Sequence, residues 1–228
     1  MTKKIKQIVI LNGGDGKRDK KLIKNRPKCL IKFYEHSFLS LQLKLLKKKG
    51  FNKFLILTKK NNKSLKKEIN KFNSKNIKIQ IHSEKSKLGT GGAIKNAFSK
   101  LDENFSLIYG DSWLDFNLKK INHRFYKSKK NSLITVISKK IVDHKPKILI
   151  KKNKELNYSK KNYKKNNFVD YGYQIFNKQI FKNIDKKVFD LNLIVRELIK
   201  KNDIEIEFIK KRFYEIGSLK GVKEFKKY

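Results

Sequence analysis

The sequence predicts an α/β fold: a Rossmann-like, doubly wound, mixed but mostly parallel sheet flanked by helices, in a single domain over 1–228. Three observations predict it. Apolar runs of strand length alternate with amphipathic stretches of helix length through the first 110 residues. Glycines follow the first strand at once. No Pro- or Gly-rich linker and no internal repeat divides the 228 residues.

The elements follow in order. Ile8-Val9-Ile10-Leu11 reads as a buried strand, being a short continuous apolar run. Phe38, Leu41, Leu43, Leu45 and Leu46 give one apolar face between Ser37 and Gly50, so a helix ended by glycine is expected. Phe54 to Leu57 is a strand, Leu65 to Phe72 a lysine-studded helix, and Ile77 to Ile81 an alternating strand. Gly91 to Leu101 is the next helix and Phe105 to Tyr109 the next strand. Beyond them, Ser132 to Ser138, Lys147 to Lys151, Tyr171 to Phe176 and Ile204 to Ile209 are strands. Lys151 to Asn167 is a polar hairpin or loop, and Leu191 to Lys201 and Leu219 to Tyr228 are helices. The regular rhythm sets off 1–115 from the more mixed 116–228.

Composition narrows the classes. Hydrophobic residues make up 38% and aromatic residues 11%, enough for a core despite 35% charged residues. Cys29 is the sole cysteine, so no internal disulfide forms, which suits a reducing compartment. The apolar run near the start is about five residues, shorter than a secretory or membrane-spanning segment requires. A cytoplasmic protein with no membrane association is expected. The formal charge of +39 raises a nucleic-acid reading, yet only five of 59 cations are arginine, the residue that bidentate phosphate and base recognition favours. Lysine spread from end to end reads better as a compositional bias on a solvated surface, with no specific nucleic-acid partner. Its field would still draw in anionic substrates.

The first strand runs into Leu11-Asn12-Gly13-Gly14-Asp15-Gly16-Lys17-Arg18, and seven residues later comes Arg26-Pro27-Lys28-Cys29-Leu30. Glycines here let backbone N–H groups approach a phosphate closely. A P-loop fails because Gly16-Lys17 is followed by Arg18 and position 11 is Leu. The dinucleotide fingerprint fails because Gly14-Asp15-Gly16 is followed by Asp19 where glycine is needed. What the two stretches do resemble is the opening signature of the sugar-phosphate nucleotidyltransferases, the NDP-sugar pyrophosphorylase-like enzymes. Three further stretches match that family in order: Leu88-Gly89-Thr90-Gly91-Gly92-Ala93, Tyr109-Gly110-Asp111-Ser112 and Phe213-Tyr214-Glu215-Ile216-Gly217-Ser218.

The resemblance implies the reaction of an NTP with a sugar 1-phosphate, giving an NDP-sugar for glycoconjugate or surface polysaccharide synthesis and releasing pyrophosphate. It implies Arg18, Lys28 and Asp111 as the catalytic set. The nucleotide would be held by Leu11, Asn12, Gly13, Gly14, Asp15, Gly16 and Lys17 with Gly89, Thr90 and Gly91. Mg2+, with Mn2+ as a substitute, would sit on Asp111 and Glu215. Glu215 stands where many relatives carry Asp, so it reaches the ion directly or through a water. The resemblance makes 1–115 the nucleotide-binding half and 116–228 the sugar-phosphate-binding half, where the sugar phosphate would meet Lys161, with Lys160 the rival, and Asp170 and Gly172 would line the sugar pocket. A homodimer is compatible, since dimers are common in such families. The chain leaves no room for the β-helix domain that some relatives append, so no acyl transfer is expected.

His36, His82, His123 and His144 show no zinc spacing and are read as surface or loop residues. Cys29 stands where the family has proline and receives no catalytic role. Other readings stay open: a lysine-rich nucleic-acid-binding module, a nucleotidyltransferase for a non-sugar phosphorylated metabolite, and an inactive relative that senses nucleotide sugars. The base is also open among GTP, UTP, CTP and dTTP.

Overall fold

A computed structural model describes residues 4–12, 27–59, 63–72, 76–151, 156–158 and 165–228. Strand β1 (Gln7–Leu11) occupies the middle of the sheet because Ile8, Val9 and Ile10 are apolar on both faces and all three lose their entire exposed surface. A short hairpin, β2 (Lys32–Phe33) and β3 (His36–Ser37), leads into helix α1 (Phe38–Lys48). Ser37 caps that helix, accepting from Ser40 N at 3.1 Å. Gly50, at φ +96°, ends it in the conformation glycine adopts most freely.

Strand β4 (Lys53–Thr58), helix α2 (Lys63–Asn70) and strand β5 (Lys78–Ser83) follow, and β1, β4 and β5 pair in parallel. Side chains alternate between two apolar clusters on the two sheet faces. Ile8, Ile10, Phe54 and Ile56 join one, whereas Val9, Leu55 and Leu57 join the other. Each such fully buried side chain contributes roughly 1.5–3 kcal/mol of transfer free energy.

Helix α3 (Gly89–Asn96) then carries the chain back across the sheet to strand β6 (Asn104–Tyr109), which pairs with the other edge of β1. This helix starts two residues before the expected Gly91, and a separate 3-10 turn over Phe98–Lys100 replaces its last part. Strand β7 (Ser112–Trp113) and helix α4 (Leu118–Ser128) come next. The sequence reading passed over α4 because lysine and histidine crowd its exposed face. Leu118, Ile121 and Phe125 nevertheless give it a buried stripe at helical spacing.

Strands β8 (Ser132–Ser138), β9 (Ile148–Ile150), β10 (Leu156–Tyr158) and β11 (Phe168–Asn177) bring the antiparallel part. β11 pairs antiparallel with β6, β8 and β9, and β10 with β9. Helix α5 (Leu191–Lys200) then leads to strand β12 (Ile204–Ile209), parallel to β8. Strand β13 (Tyr214–Glu215) and helix α6 (Leu219–Lys226) close the chain. The sheet runs β10-β9-β11-β6-β1-β4-β5, with β8 against β11 and β12 against β8. Because the chain winds from β1 towards β5 and then returns to β6, a crevice opens beyond the carboxyl ends of β1 and β6, where doubly wound sheets place ligands.

Candidate active site

The crevice is a cleft of 310 Å³ whose lining includes Asn12, Lys28, Glu84, Gly89, Tyr109 and Asp111. Two loops fix its base. Asn12 N donates to Leu57 O at 2.8 Å, and Gly110 N donates to Leu11 O at 2.9 Å. The ends of β1, β4 and β6 are thereby tied together just where Asp111 emerges.

Asp111 and Glu215 are 104 positions apart in the sequence, yet they share one small ladder. β7 and β13 pair antiparallel with Glu215 opposite Ser112, and Ile216 N donates to Asp111 O at 2.9 Å. A methyl group placed on Gly217 would lie 3.2 Å from Asp111 Oδ2, 3.5 Å from Glu215 Oε2 and 3.5 Å from Lys28 Nζ. The three charged tips surround one point, and the two carboxylate oxygens are no farther apart than the sum of the first two distances. Lys28 Nζ also donates to Gly217 O at 2.9 Å. Lys28 reaches this point because Pro27 precedes a 3-10 turn over Lys28–Leu30.

Gln42 is a neighbour of the site that the sequence reading missed. It is buried on α1, and its Nε2 donates to Tyr109 O at 3.2 Å and to Ser112 O at 2.8 Å. The turn bearing Asp111 is held at both ends. The available signal was one amide on an otherwise apolar helix face. Beside it, Asn12 Nδ2 donates to the Sγ of Cys29 at 2.9 Å. Burial pushes the Cys29 thiol up to about 12, which leaves it neutral and unsuited to a nucleophile's part.

Glu84, nearly buried, stands with Lys59 and Lys87 along another stretch of the cleft. Burial raises the Glu84 carboxyl above its usual range, against the pull of the Leu88 amide, which donates to Oε2 at 3.3 Å. Burial, and then the Lys87 charge, lowers Lys59.

The glycines of the 88–92 stretch serve packing. Gly91 N and Gly92 N donate to Phe189 O at 3.0 and 3.1 Å, and Phe189 N donates to Leu88 O at 2.9 Å. Thr90 Oγ1 accepts from Leu191 N at 2.8 Å. Side chains at these glycines would collide: a Cβ on Gly89 would stand 2.5 Å from Phe189 O, and one on Gly92 would stand 2.4 Å from Lys187 O. Gly89 and Thr90 face the cleft, whereas the Gly91 amide is already committed to Phe189.

Asp170 is half-buried and accepts from Gly172 N at 2.9 Å, Gln174 Nε2 at 3.0 Å and the Tyr109 hydroxyl at 3.3 Å. Burial raises its carboxyl despite these donors. Gly172, at φ +95°, lies against the Tyr109 ring: a Cβ there would stand 3.2 Å from Cδ2. The pair sits at the register shift of β11 against β8. Gly13, Gly14, Asp15, Gly16, Lys17, Arg18, Lys160 and Lys161 lie outside the described residues.

Among the described residues no cluster of three or more His, Cys, Asp or Glu side chains forms a metal site. Asp111 and Glu215 supply two hard oxygen donors, which is what Mg2+ takes from protein when water and substrate phosphates complete its octahedron. The pair fits such an ion. No helix among the described residues is long and apolar enough to cross a membrane.

A family model described as "Nucleotidyl transferase" matches residues 7–225. A D-glycero-alpha-D-manno-heptose 1-phosphate guanylyltransferase of Campylobacter jejuni is 36% identical over 115 residues, 50% of this chain. That match spans about half of the relative's length, 52%. A protein of the same name from Aneurinibacillus thermoaerophilus is 26% identical over 211 residues, covering 91% of this chain and 87% of its own. The fold superposes on the crystal structure of HddC from Yersinia pseudotuberculosis complexed with GMP-PN with a TM-score of 0.79. The identity there is 23%, over 96% of this chain and 97% of that one.

Proposed function

The chain belongs to the nucleotidyl transferase family, and from that premise we propose that it joins GTP to a heptose 1-phosphate, releasing pyrophosphate and giving a GDP-heptose. The observation that carries the reading is the meeting of Glu215 with Asp111 and Lys28, which line the cleft, around Gly217. The relatives' names supply the base and the sugar.

In this reaction an oxygen of the sugar phosphate attacks the α-phosphorus. An O–P bond forms as the bond from that phosphorus to the bridging oxygen breaks, and pyrophosphate leaves with the electron pair. Two anions must meet, so catalysis is positioning and neutralisation of charge. Lys28, held by Gly217 O, would place an ammonium beside the reacting phosphates. Arg18 and the 13–18 glycine stretch would grip the triphosphate, as the family pattern implies. Asp111 and Glu215 would hold Mg2+, which when bound offsets phosphate charge and orients its oxygens. Lys161 or Lys160 would meet the sugar phosphate, with Asp170 and Gly172 shaping the pocket around Tyr109.

Glu84 supports guanine in particular. A guanine ring carries an N1–H beside an N2 amino group, and a carboxylate can accept from both; uracil and thymine have no such pair of donors. A site built around that pair would reject bases that leave the carboxylate unmatched.

Release of pyrophosphate from GTP, UTP, CTP and dTTP, each against a panel of sugar 1-phosphates with Mg2+, Mn2+ or EDTA, tests the reading. GTP with a heptose 1-phosphate is expected to turn over fastest, and EDTA to stop it. Turnover of another base with equal efficiency would overturn the guanine assignment. Release from no pair at all would overturn the reaction.

A further inference from the structure

Successive residues of a strand point to opposite faces, so the ladder between β7 and β13 has two sides. Glu215, opposite Ser112, turns to the charged side, where Asp111 and Lys28 meet it. Tyr214, opposite Trp113, turns to the other. There both rings pack on an apolar cluster built from Phe33, Phe38, Ile216, Val222 and Phe225.

Phe225 is the hub of that cluster. Its ring centroid stands 4.8 Å from that of Phe33 and 5.2 Å from that of Phe38, both edge to face. Trp113 follows at 5.3 Å and Tyr214 at 6.3 Å. These rings lead to every segment that carries the charged site. Trp113 and Tyr214 stand in the ladder itself, next to Ser112 and Glu215. Phe38 N donates to Ile31 O, and Ile31 N donates to Lys28 O, both at 2.9 Å, so the Phe38 backbone anchors the turn that bears Lys28. Helix α6 presents Phe225 on the same face as Gly221, four residues earlier. A Cβ on Gly221 would lie 2.0 Å from the Glu215 carbonyl oxygen, so α6 seats directly on the Glu215 backbone.

Resting on the nucleotidyltransferase reading, we propose that Phe225 is a positioning residue for the reaction: its ring, held by α6 behind the ladder, keeps Asp111, Glu215 and Lys28 at the spacing one divalent cation and its phosphates require. Burial alone would be served by any apolar side chain of that volume. Edge-to-face packing also fixes orientation, which two carboxylates brought from distant parts of the chain need.

Phe225→Met keeps most of the volume and loses the ring. Its control is Phe181→Met, which opens a separate aromatic group where Phe105 and Phe176 lie 6.1 and 5.7 Å from Phe181. Mn2+ alone is titrated by electron paramagnetic resonance at a temperature where circular dichroism shows both variants folded. Phe225→Met is expected to bind the ion about 3- to 10-fold more weakly than the parent, with a lower kcat. Phe181→Met should stay within about twofold in both, since distant sites act independently. Affinity unchanged in Phe225→Met, or lowered equally in Phe181→Met, would reduce Phe225 to a core residue and overturn the proposal.

Should Phe225→Met fail to fold, the wild type carries its own probe, because Trp113 is the sole tryptophan and packs on Phe225. A cluster that holds the carboxylates must in turn be held by the ion they bind. Mg2+ is therefore expected to slow the quenching of Trp113 fluorescence by acrylamide. Quenching indifferent to saturating Mg2+ would overturn the proposal. A wild type that binds no Mn2+ would overturn the metal pair and this proposal together. One that binds Mn2+ yet releases no pyrophosphate would overturn the reaction alone, so the failures are separable.

Discussion

Gln42 holds Asp111 from behind: its side-chain amide donates to the carbonyls of Tyr109 and Ser112, at 3.2 and 2.8 Å, on either side of the aspartate. The helix that supplies Gln42 packs by its apolar face, so one polar group is buried there for the sake of the turn. Gln42→Met keeps the volume and removes the donors, leaving two carbonyls without their partner. A stability loss of about 1–3 kcal/mol is expected by denaturant unfolding. Turnover should fall about tenfold or more with little change in KM for either substrate, because the displaced group acts in the transition state. Unchanged kcat in a folded Gln42→Met protein would separate the amide from the chemistry.

The ladder between β7 and β13 makes a different demand on its two acids. Asp111→Asn keeps the shape and removes charge, so pyrophosphate release should drop by about 10³-fold or more, as for loss of a key electrostatic group. Manganese affinity, followed by electron paramagnetic resonance, should fall with it. Glu215→Asp shortens the side chain by one methylene and is expected to retain measurable activity, whereas Glu215→Ala is expected to behave like Asp111→Asn. Full manganese binding in both charge-removing variants would rule out the pair as ligands.

Two glycines near Glu215 separate chemistry from folding. The three atoms nearest a Cβ on Gly217 are side-chain tips, those of Asp111, Glu215 and Lys28, at 3.2–3.5 Å. A Cβ on Gly221 would lie 2.0 Å from the Glu215 carbonyl oxygen, which is backbone and cannot swing aside. Gly217→Ala is therefore expected to lose activity with a melting temperature close to that of the parent. Gly221→Ala should lose both, with about 1–3 kcal/mol of overpacking cost. Thermal melts and turnover on the same preparations check the contrast.

The parallel core was legible because its strands are short, continuous apolar runs such as Phe54 to Leu57, which few other structures can bury. Asp111 and Glu215 were singled out by the stretches that resemble the family's, and the structure brings them together around Gly217. Gln42 was not, because its role depends on which turn lies across the helix, and one sequence carries no such pairing. Asp190 was passed over for a related reason: an Asp before an apolar run reads as a cap, yet its side chain makes no capping bond and the residue lines the cleft. Helix α4 shows composition at work. Its polar face is so rich in cations that the stripe of Leu118, Ile121 and Phe125 is diluted in sequence, yet that face is in use. Arg124 and Lys120 pair with the buried Glu207 at 3.0 and 2.7 Å. Lysine richness that resembled a nucleic-acid footprint includes cations with structural partners.

Cys29 offers a test of how closed the base of the crevice is. It has no exposed surface, and its thiol is pushed up to about 12, chiefly by burial, with Asn12 donating to sulfur as the main opposing effect. In the unfolded chain a cysteine titrates near about 8.5. A folded value above the unfolded one means the contribution to stability is complete below about pH 8.5. It is then lost as pH climbs towards the folded value, since only the unfolded chain gains by ionising. Denaturant midpoints should accordingly fall between about pH 8.5 and 12, and Cys29→Ala, though less stable at pH 7 because of the cavity it leaves, should show a shallower decline. The same closure predicts that iodoacetamide at pH 8 labels the native protein far more slowly than the protein in denaturant, and that GTP analogues slow it further if they brace the Asn12 stretch. Mass spectrometry of the labelled peptide reads both effects, and rapid labelling of the native thiol would show that the crevice base opens in solution.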